Sequence, residues 1–106
     1  PLPAFALTDA GGRAVRGAEL RGGTALVVLA SRDAGEPAAD VREELARGAA
    51  ARGVRLVILL VDAESSPIPV PHLPFAYGLD AAGVVLARGS VNGRASVGLL
   101  LDAIAR

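Results

Sequence analysis

Apolar positions along the chain follow two rhythms. Thr24-Ala25-Leu26-Val27-Val28-Leu29-Ala30 is a continuous apolar run of strand length, which suits a strand covered on both faces. Val54–Val61 is a second such run, interrupted only by Arg55 at its entrance. Between them, from Pro37 to Arg52, the spacing becomes helical. Ala38, Val41, Leu45 and Ala49 recur at three- and four-residue steps, while Asp40, Arg42, Glu43, Glu44 and Arg47 fill the remaining arc. Pro37 suits a first helical turn and Gly53 a stop. Glu43 and Arg47 stand four residues apart in the favourable acid-before-base order, as a solvated surface pair. Gly48 inside this helix costs about 1 kcal/mol against alanine, so packing and not propensity is expected to hold the segment.

The other elements are shorter. Residues 4–7 and Ala14–Val15 read as brief strands joined by the turn Asp9-Ala10-Gly11-Gly12, followed by a helical turn near Ala18–Leu20 that Gly22-Gly23 ends. Phe75–Leu79 and Val84–Arg88 are strands joined by Asp80-Ala81-Ala82-Gly83, after a loop holding Pro67, Pro69, Pro71 and Pro74. Asn92-Gly93 turns the chain again, and Val97, Leu100, Leu101 and Ile104 stripe a closing helix. Strand–helix–strand implies a parallel pair with a right-handed crossover, whereas the Asp80–Gly83 turn implies an antiparallel pair. With no repeat, linker or composition break, residues 1–106 read as one α/β domain. Its expected core is a mixed central sheet of about four strands with flanking helices and an N-terminal β-hairpin.

Composition narrows the chemistry. None of the 106 residues is cysteine, methionine or tryptophan, and all 11 basic residues are arginine. The chain therefore holds no disulfide, no thiolate nucleophile and no thiolate metal or iron–sulfur ligand. His72 is the one histidine, so no site needing two imidazoles can come from a single copy. Charge balances at formal zero with the arginines spread along the sequence, which argues against nucleic acid as a partner. No apolar run approaches the roughly 20 residues of a membrane span. Because it starts at Pro1, the chain reads as one that has lost its initiator methionine or as a piece of a longer, membrane-anchored protein.

Several local sequences resemble a known group. The opening LPAFALTDAGGRAVRGAELRGGTALVVLAS is similar to the start of the thioredoxin-like TlpA/ResA and redoxin proteins, with their P-x-F-x-L-x-D-x-x-G hairpin and L-R-G turn. The closing LPFAYGLDAAGVVLARGSVNGRASVGLLLDA resembles the methylamine-utilization MauD branch. The resemblance implies a thioredoxin-like three-layer sandwich, an extracytoplasmic location and thiol–disulfide exchange. It fails where that chemistry resides. The group places C-x-x-C at the start of the helix after the first core strand, where backbone N–H groups and the helix dipole lower the attacking thiol's pKa. Here the slot reads Ser31-Arg32-Asp33-Ala34-Gly35-Glu36-Pro37-Ala38. Ala34 takes one cysteine position, and Pro37 or Ala38 the other. Pro74 matches the group's proline before the third core strand, typically cis and facing the redox site.

The candidate site is thus a degenerate groove of Arg32, Asp33, Gly35, Glu36, His72, Leu73 and Pro74, extended by Ser90–Asn92. His72 near Ala34 raises a general base or metal ligand, yet lacks a clear nucleophile and co-ligands, so no metal or cofactor is expected. Asp33 and Glu36 read as helix capping and dipole compensation. Ser31 with His72 lacks the G-x-S-x-G elbow of a hydrolase, and the PIPVPHLP stretch reads as a rigid loop. The expected function is a redox-inactive binding, scaffolding or assembly module for a protein or peptide. The alternative is a thiol–disulfide oxidoreductase whose cysteines were replaced or come from another chain.

Overall fold

The computed structural model describes residues 6–9, 11–31, 39–62, 68, 71–91 and 93–104. The elements run β1 (Ala6–Asp9), β2 (Ala14–Arg16), one 3-10 turn (Gly17–Leu20), β3 (Ala25–Ser31), α1 (Ala39–Ala51), β4 (Arg55–Val61), β5 (Phe75–Leu79), β6 (Val85–Ser90) and α2 (Arg94–Ile104). They build one sheet of six strands in the order β2-β1-β4-β3-β5-β6. β3 and β4 are parallel, in register from Ala25 opposite Arg55 to Ser31 opposite Val61, and every other pair is antiparallel. The sheet is larger than the four or so strands expected from the pattern. The hairpin β1–β2 continues it, because Thr8 and Asp9 pair with Leu60 and Leu59 of β4. Local periodicity marks a strand but not a neighbour fifty residues away.

β3 is the centre, fully buried from Ala25 to Ala30 as its unbroken apolar run requires. Its alternate side chains feed two clusters. Leu26 and Val28 meet Val41, Leu45 and Ala49 of α1 and Val97, Leu100, Leu101 and Ile104 of α2. Val27 and Leu29 join Val57, Leu59, Phe75, Tyr77 and Leu79 on the opposite face, closed by Leu20 of the 3-10 turn and by the fully buried Ile68. Both α-helices of the described residues therefore cover the same face. Among the described residues, the other face is roofed by the 3-10 turn and by Ile68 and Leu73.

Two glycines mark where the helices press closest. A Cβ on Gly48 would sit 2.5 Å from Leu101 Cδ1, so the residue that weakens α1 by propensity lets α2 approach it. Arg52 fastens the same contact, donating to the Gly48 carbonyl at 3.1 Å and to Asp102 at 2.7 Å. On β5 a Cβ at Gly78 would lie 2.0 Å from Ile104 Cγ2. The surface pair on α1 differs from the one expected. Arg47 bonds Glu44, one turn back on the helix, while Glu43 adds only a lesser electrostatic attraction.

The two hairpin turns share one construction. Asp9 Oδ1 accepts the N–H groups of Gly11 and Arg13, and Asp80 Oδ1 accepts those of Ala82 and Val84, all at 2.9 Å. Each turn closes with a glycine at positive φ, Gly12 at 87° and Gly83 at 84°, where a Cβ would be strained. The sequence motif Asp-Ala-x-Gly thus appears twice with the same hydrogen bonds.

Candidate functional site

Three strand ends meet at one end of the sheet. β3 finishes at the half-buried Ser31, β5 begins at Phe75, and β6 finishes at Ser90, with Leu29, Phe75 and Ser90 opposite one another across the three strands. This is where a parallel β3–β4 pair delivers the chain into the following helix, and where α/β sheets gather their binding residues. The residues after Ser31 that would complete the groove, Arg32, Asp33, Ala34, Gly35, Glu36, Pro37 and Ala38, lie outside the described residues, as does Asn92.

The described half of the groove is built on Pro74. Its peptide bond with Leu73 is cis, in agreement with the resemblance. Pro74 is buried, and its carbonyl accepts the Val91 N–H at 3.2 Å, which ties the entry of β5 to the residue just after β6. Leu73 is half-buried and packs on the cluster of Phe75, Tyr77 and Leu29. His72 is exposed at the rim. Its Nε2 shares a hydrogen bond of 2.5 Å with Ser90 Oγ. Its ring meets Phe75 edge-on, centroids 5.7 Å apart at 78°, and Phe75 meets Tyr77 in the same manner at 5.3 Å and 70°. Ring edges against ring faces are the favourable arrangement for aromatic quadrupoles.

His72, Leu73, Pro74 and Ser90 are therefore brought together. The His72–Ser90 pairing was not legible beforehand. A count back from the Asp80–Val84 closure sets Gly89 opposite Phe75. A β-bulge, with Leu86 as the extra residue against Gly78 and Leu79, shifts the register by one and puts Ser90 there. Ser31 makes no hydrogen bond to His72 among the described residues; the imidazole pairs with Ser90 instead. Chemically, the rim offers one imidazole, one hydroxyl and an apolar wall. Among the described residues no group of three or more His, Asp or Glu side chains is placed to hold a metal ion.

A second polar centre lies away from this groove. The Glu19 carboxylate accepts from Arg13 Nη2 at 2.8 Å and from the Arg16 N–H at 2.6 Å, and the Glu19 carbonyl accepts from Arg55 Nη1 at 2.7 Å. The Arg16 N–H first, and then the charges of Arg13 and Arg55, hold the Glu19 carboxyl below the usual carboxylate range. Arg13 before β2 and Arg55 at the start of β4, forty-two residues apart in sequence, thus both bring their guanidinium groups to Glu19.

No protein-family model matches the chain, and no curated protein matches it. Solved structures do. A thiol:disulfide interchange protein DsbE from Chlorobium tepidum, described as putative in its own name, superposes with a TM-score of 0.67 at 17% identity, over 96% of this chain and 91% of that one. A secreted Mycobacterium tuberculosis disulfide oxidoreductase homologous to E. coli DsbE gives 0.64 at 20% identity, over 95% and 94%. Arabidopsis thaliana ScoI with copper bound gives 0.62 at 13% identity, over 96% and 94%. These likenesses are of fold: the chain has the thioredoxin-like α/β fold found in thiol–disulfide oxidoreductases and redoxins.

Proposed function

We propose that this chain, whose thioredoxin-like fold is that of proteins working through thiols, is a redox-inactive member of that fold acting as a binding, scaffolding or assembly module. The observation that carries the reading is the complete absence of cysteine. Thiol–disulfide exchange proceeds by attack of a thiolate on a disulfide, and this chain can supply neither. Ala34 with Pro37 or Ala38 occupies the positions that the TlpA/ResA resemblance gives to the two cysteines. Leu73, the cis Pro74 and the His72–Ser90 rim, at the place where the resemblance sets the redox groove, support a retained binding surface. An apolar wall with a small polar rim suits an extended peptide segment of a protein partner. The proposed location is extracytoplasmic, which the secreted Mycobacterium tuberculosis neighbour supports. The MauD-like closing segment supports a role in assembling or maturing another protein.

The test has two arms. Insulin reduction and mixed-disulfide trapping should give no signal from this chain, and genuine turnover would overturn the reading in favour of an oxidoreductase with thiols from another chain. Partners captured by cross-linking should be lost with Leu73→Asp and weakened by His72→Ala, which leaves Leu73 and its packing in place. If both variants retain every association, the groove is not the binding surface.

A further inference from the structure

We propose that the β6 edge of the sheet is a self-association surface, on which a second copy of this chain pairs its own β6 antiparallel across a two-fold axis. This goes beyond the groove reading, with which it shares only Ser90 at the end of β6. β6 is outermost, so among the described residues the N–H and C=O groups along its free side meet no strand. Among the described residues the exposed large hydrophobics are Val84, Leu86 and Leu99, exposed by 45%, 48% and 74%. Val84 leads into β6, Leu86 is its bulge residue, and Leu99 lies on α2, which packs against β6. Among the described residues, exposed large apolar side chains thus gather at one edge. An exposed apolar strand edge is a template for another strand.

The occupant is argued from shape and charge. A groove of about 310 Å3 opens between β6 and α2, with Ala87, Gly89 and Ala103 among its lining and Leu99 on its wall. It is hollow because these side chains are small. Leu99 therefore protrudes beside a depression that an aliphatic side chain would fill. A two-fold interface requires one patch to carry both the protrusion and the hollow that receives it. Antiparallel pairing about an axis normal to the sheet keeps both α2 helices on the same face and turns each Leu99 toward the other copy's groove. A formal net charge of zero removes the net repulsion between copies. Arg88, the one charged residue lining the groove, is exposed and keeps its guanidinium in water.

Sedimentation velocity on the full chain, from micromolar to submillimolar concentration, should show a reversible monomer–dimer equilibrium. Leu99→Glu should weaken it by about 100-fold without changing thermal unfolding of the dilute monomer. Leu86→Arg supplies the same test on the strand itself. The native chain has no cysteine, so Leu86→Cys carries a single thiol, and a short bis-maleimide should link it into a covalent dimer. Arg16→Cys, on the opposite edge, should stay unlinked. A chain monomeric at every concentration overturns the proposal. So does a dimer that survives both Leu99→Glu and Leu86→Arg, or one that links through Arg16→Cys in preference to Leu86→Cys. Neither substituted leucine belongs to the His72–Pro74 groove, so failure here leaves that reading standing, and the reverse.

Discussion

The two β-hairpins close on the same turn and end in opposite surroundings. Asp9 and Asp80 each accept two backbone N–H groups, and Gly12 and Gly83 take the same left-handed conformation. Yet β1 alternates exposed and half-buried residues, whereas β5 is buried from end to end. β1 meets the sheet through two residue pairs with β4, while β5 is clasped between β3 and β6 with α2 above it. A turn motif sets how a chain reverses. How much stability depends on it is decided by what the strands bury afterwards.

Their outer edges differ as well. The outer strand of the first hairpin ends at Arg16, whose N–H is bound by Glu19, with Arg13 joined to the same carboxylate. Charge and a following 3-10 turn shield that edge. The second hairpin's outer strand carries Leu86 at its bulge and has Leu99 beside it. The two edges of one sheet thus carry different surfaces, ion-paired charge flanking β2 and exposed leucine side chains on and beside β6.

The largest expected effect lies where β5 meets α2. Gly78→Ala places a methyl against Ile104 with no space for it, and should lower unfolding stability by about 2–3 kcal/mol in a urea titration. A loss below a few tenths would mean that α2 can rise off β5 freely, and that the second hairpin is no better embedded than the first. Next in size is the pair Asp80→Ala and Asp9→Ala. Each leaves two N–H groups without their acceptor. Asp80→Ala should reduce global stability by about 1–2 kcal/mol, and Asp9→Ala by about half of that, because the first hairpin can open without exposing the central strands. Amide exchange should accelerate only in residues 6–16 for Asp9→Ala. Equal losses from the two substitutions would erase the contrast.

The smallest effect is a pH dependence confined to the first hairpin. Glu19 is held below the ordinary carboxylate range, chiefly by the Arg16 N–H and then by Arg13 and Arg55. A group with a depressed folded pKa contributes stability that is present above its unfolded pKa and is lost as pH falls through the folded value. The melting temperature of Glu19→Gln should therefore trail the native chain near neutrality and converge with it in acid. A constant gap across that range would show that the carboxylate's charge plays no part.

Much of the fold was legible because its signals are local. The apolar run at Thr24–Ala30, the stripe Val97, Leu100, Leu101 and Ile104, and both Asp-Ala-x-Gly turns each declare themselves within a dozen residues. β5 occupies the residues expected of it, Phe75–Leu79. What escaped was long-range or depended on a single irregularity. The β1–β4 pairing has no local signature, and Gly48 and Gly78 look like propensity defects until the helix above each is seen. The His72–Ser90 contact hinges on a one-residue shift that alternation alone does not reveal. The site was read mainly from a departure, the missing cysteines, and its Arg32–Ala38 side rests on that reading alone.

The chain of ring contacts running inward from His72 gives the molecule an optical property. Tyr77 is the one tyrosine in a chain without tryptophan. It is 5% exposed, in the cluster on the sheet face away from both helices, and Phe75 connects it to the His72 rim. Its ultraviolet emission therefore reports one face of the sheet and the floor of the groove, while circular dichroism is dominated by the helices on the other face. Two signals from two faces make the protein its own test of cooperativity. They coincide on denaturation when the faces melt together, and they separate when the roof of Leu20, Ile68 and Leu73 lifts first.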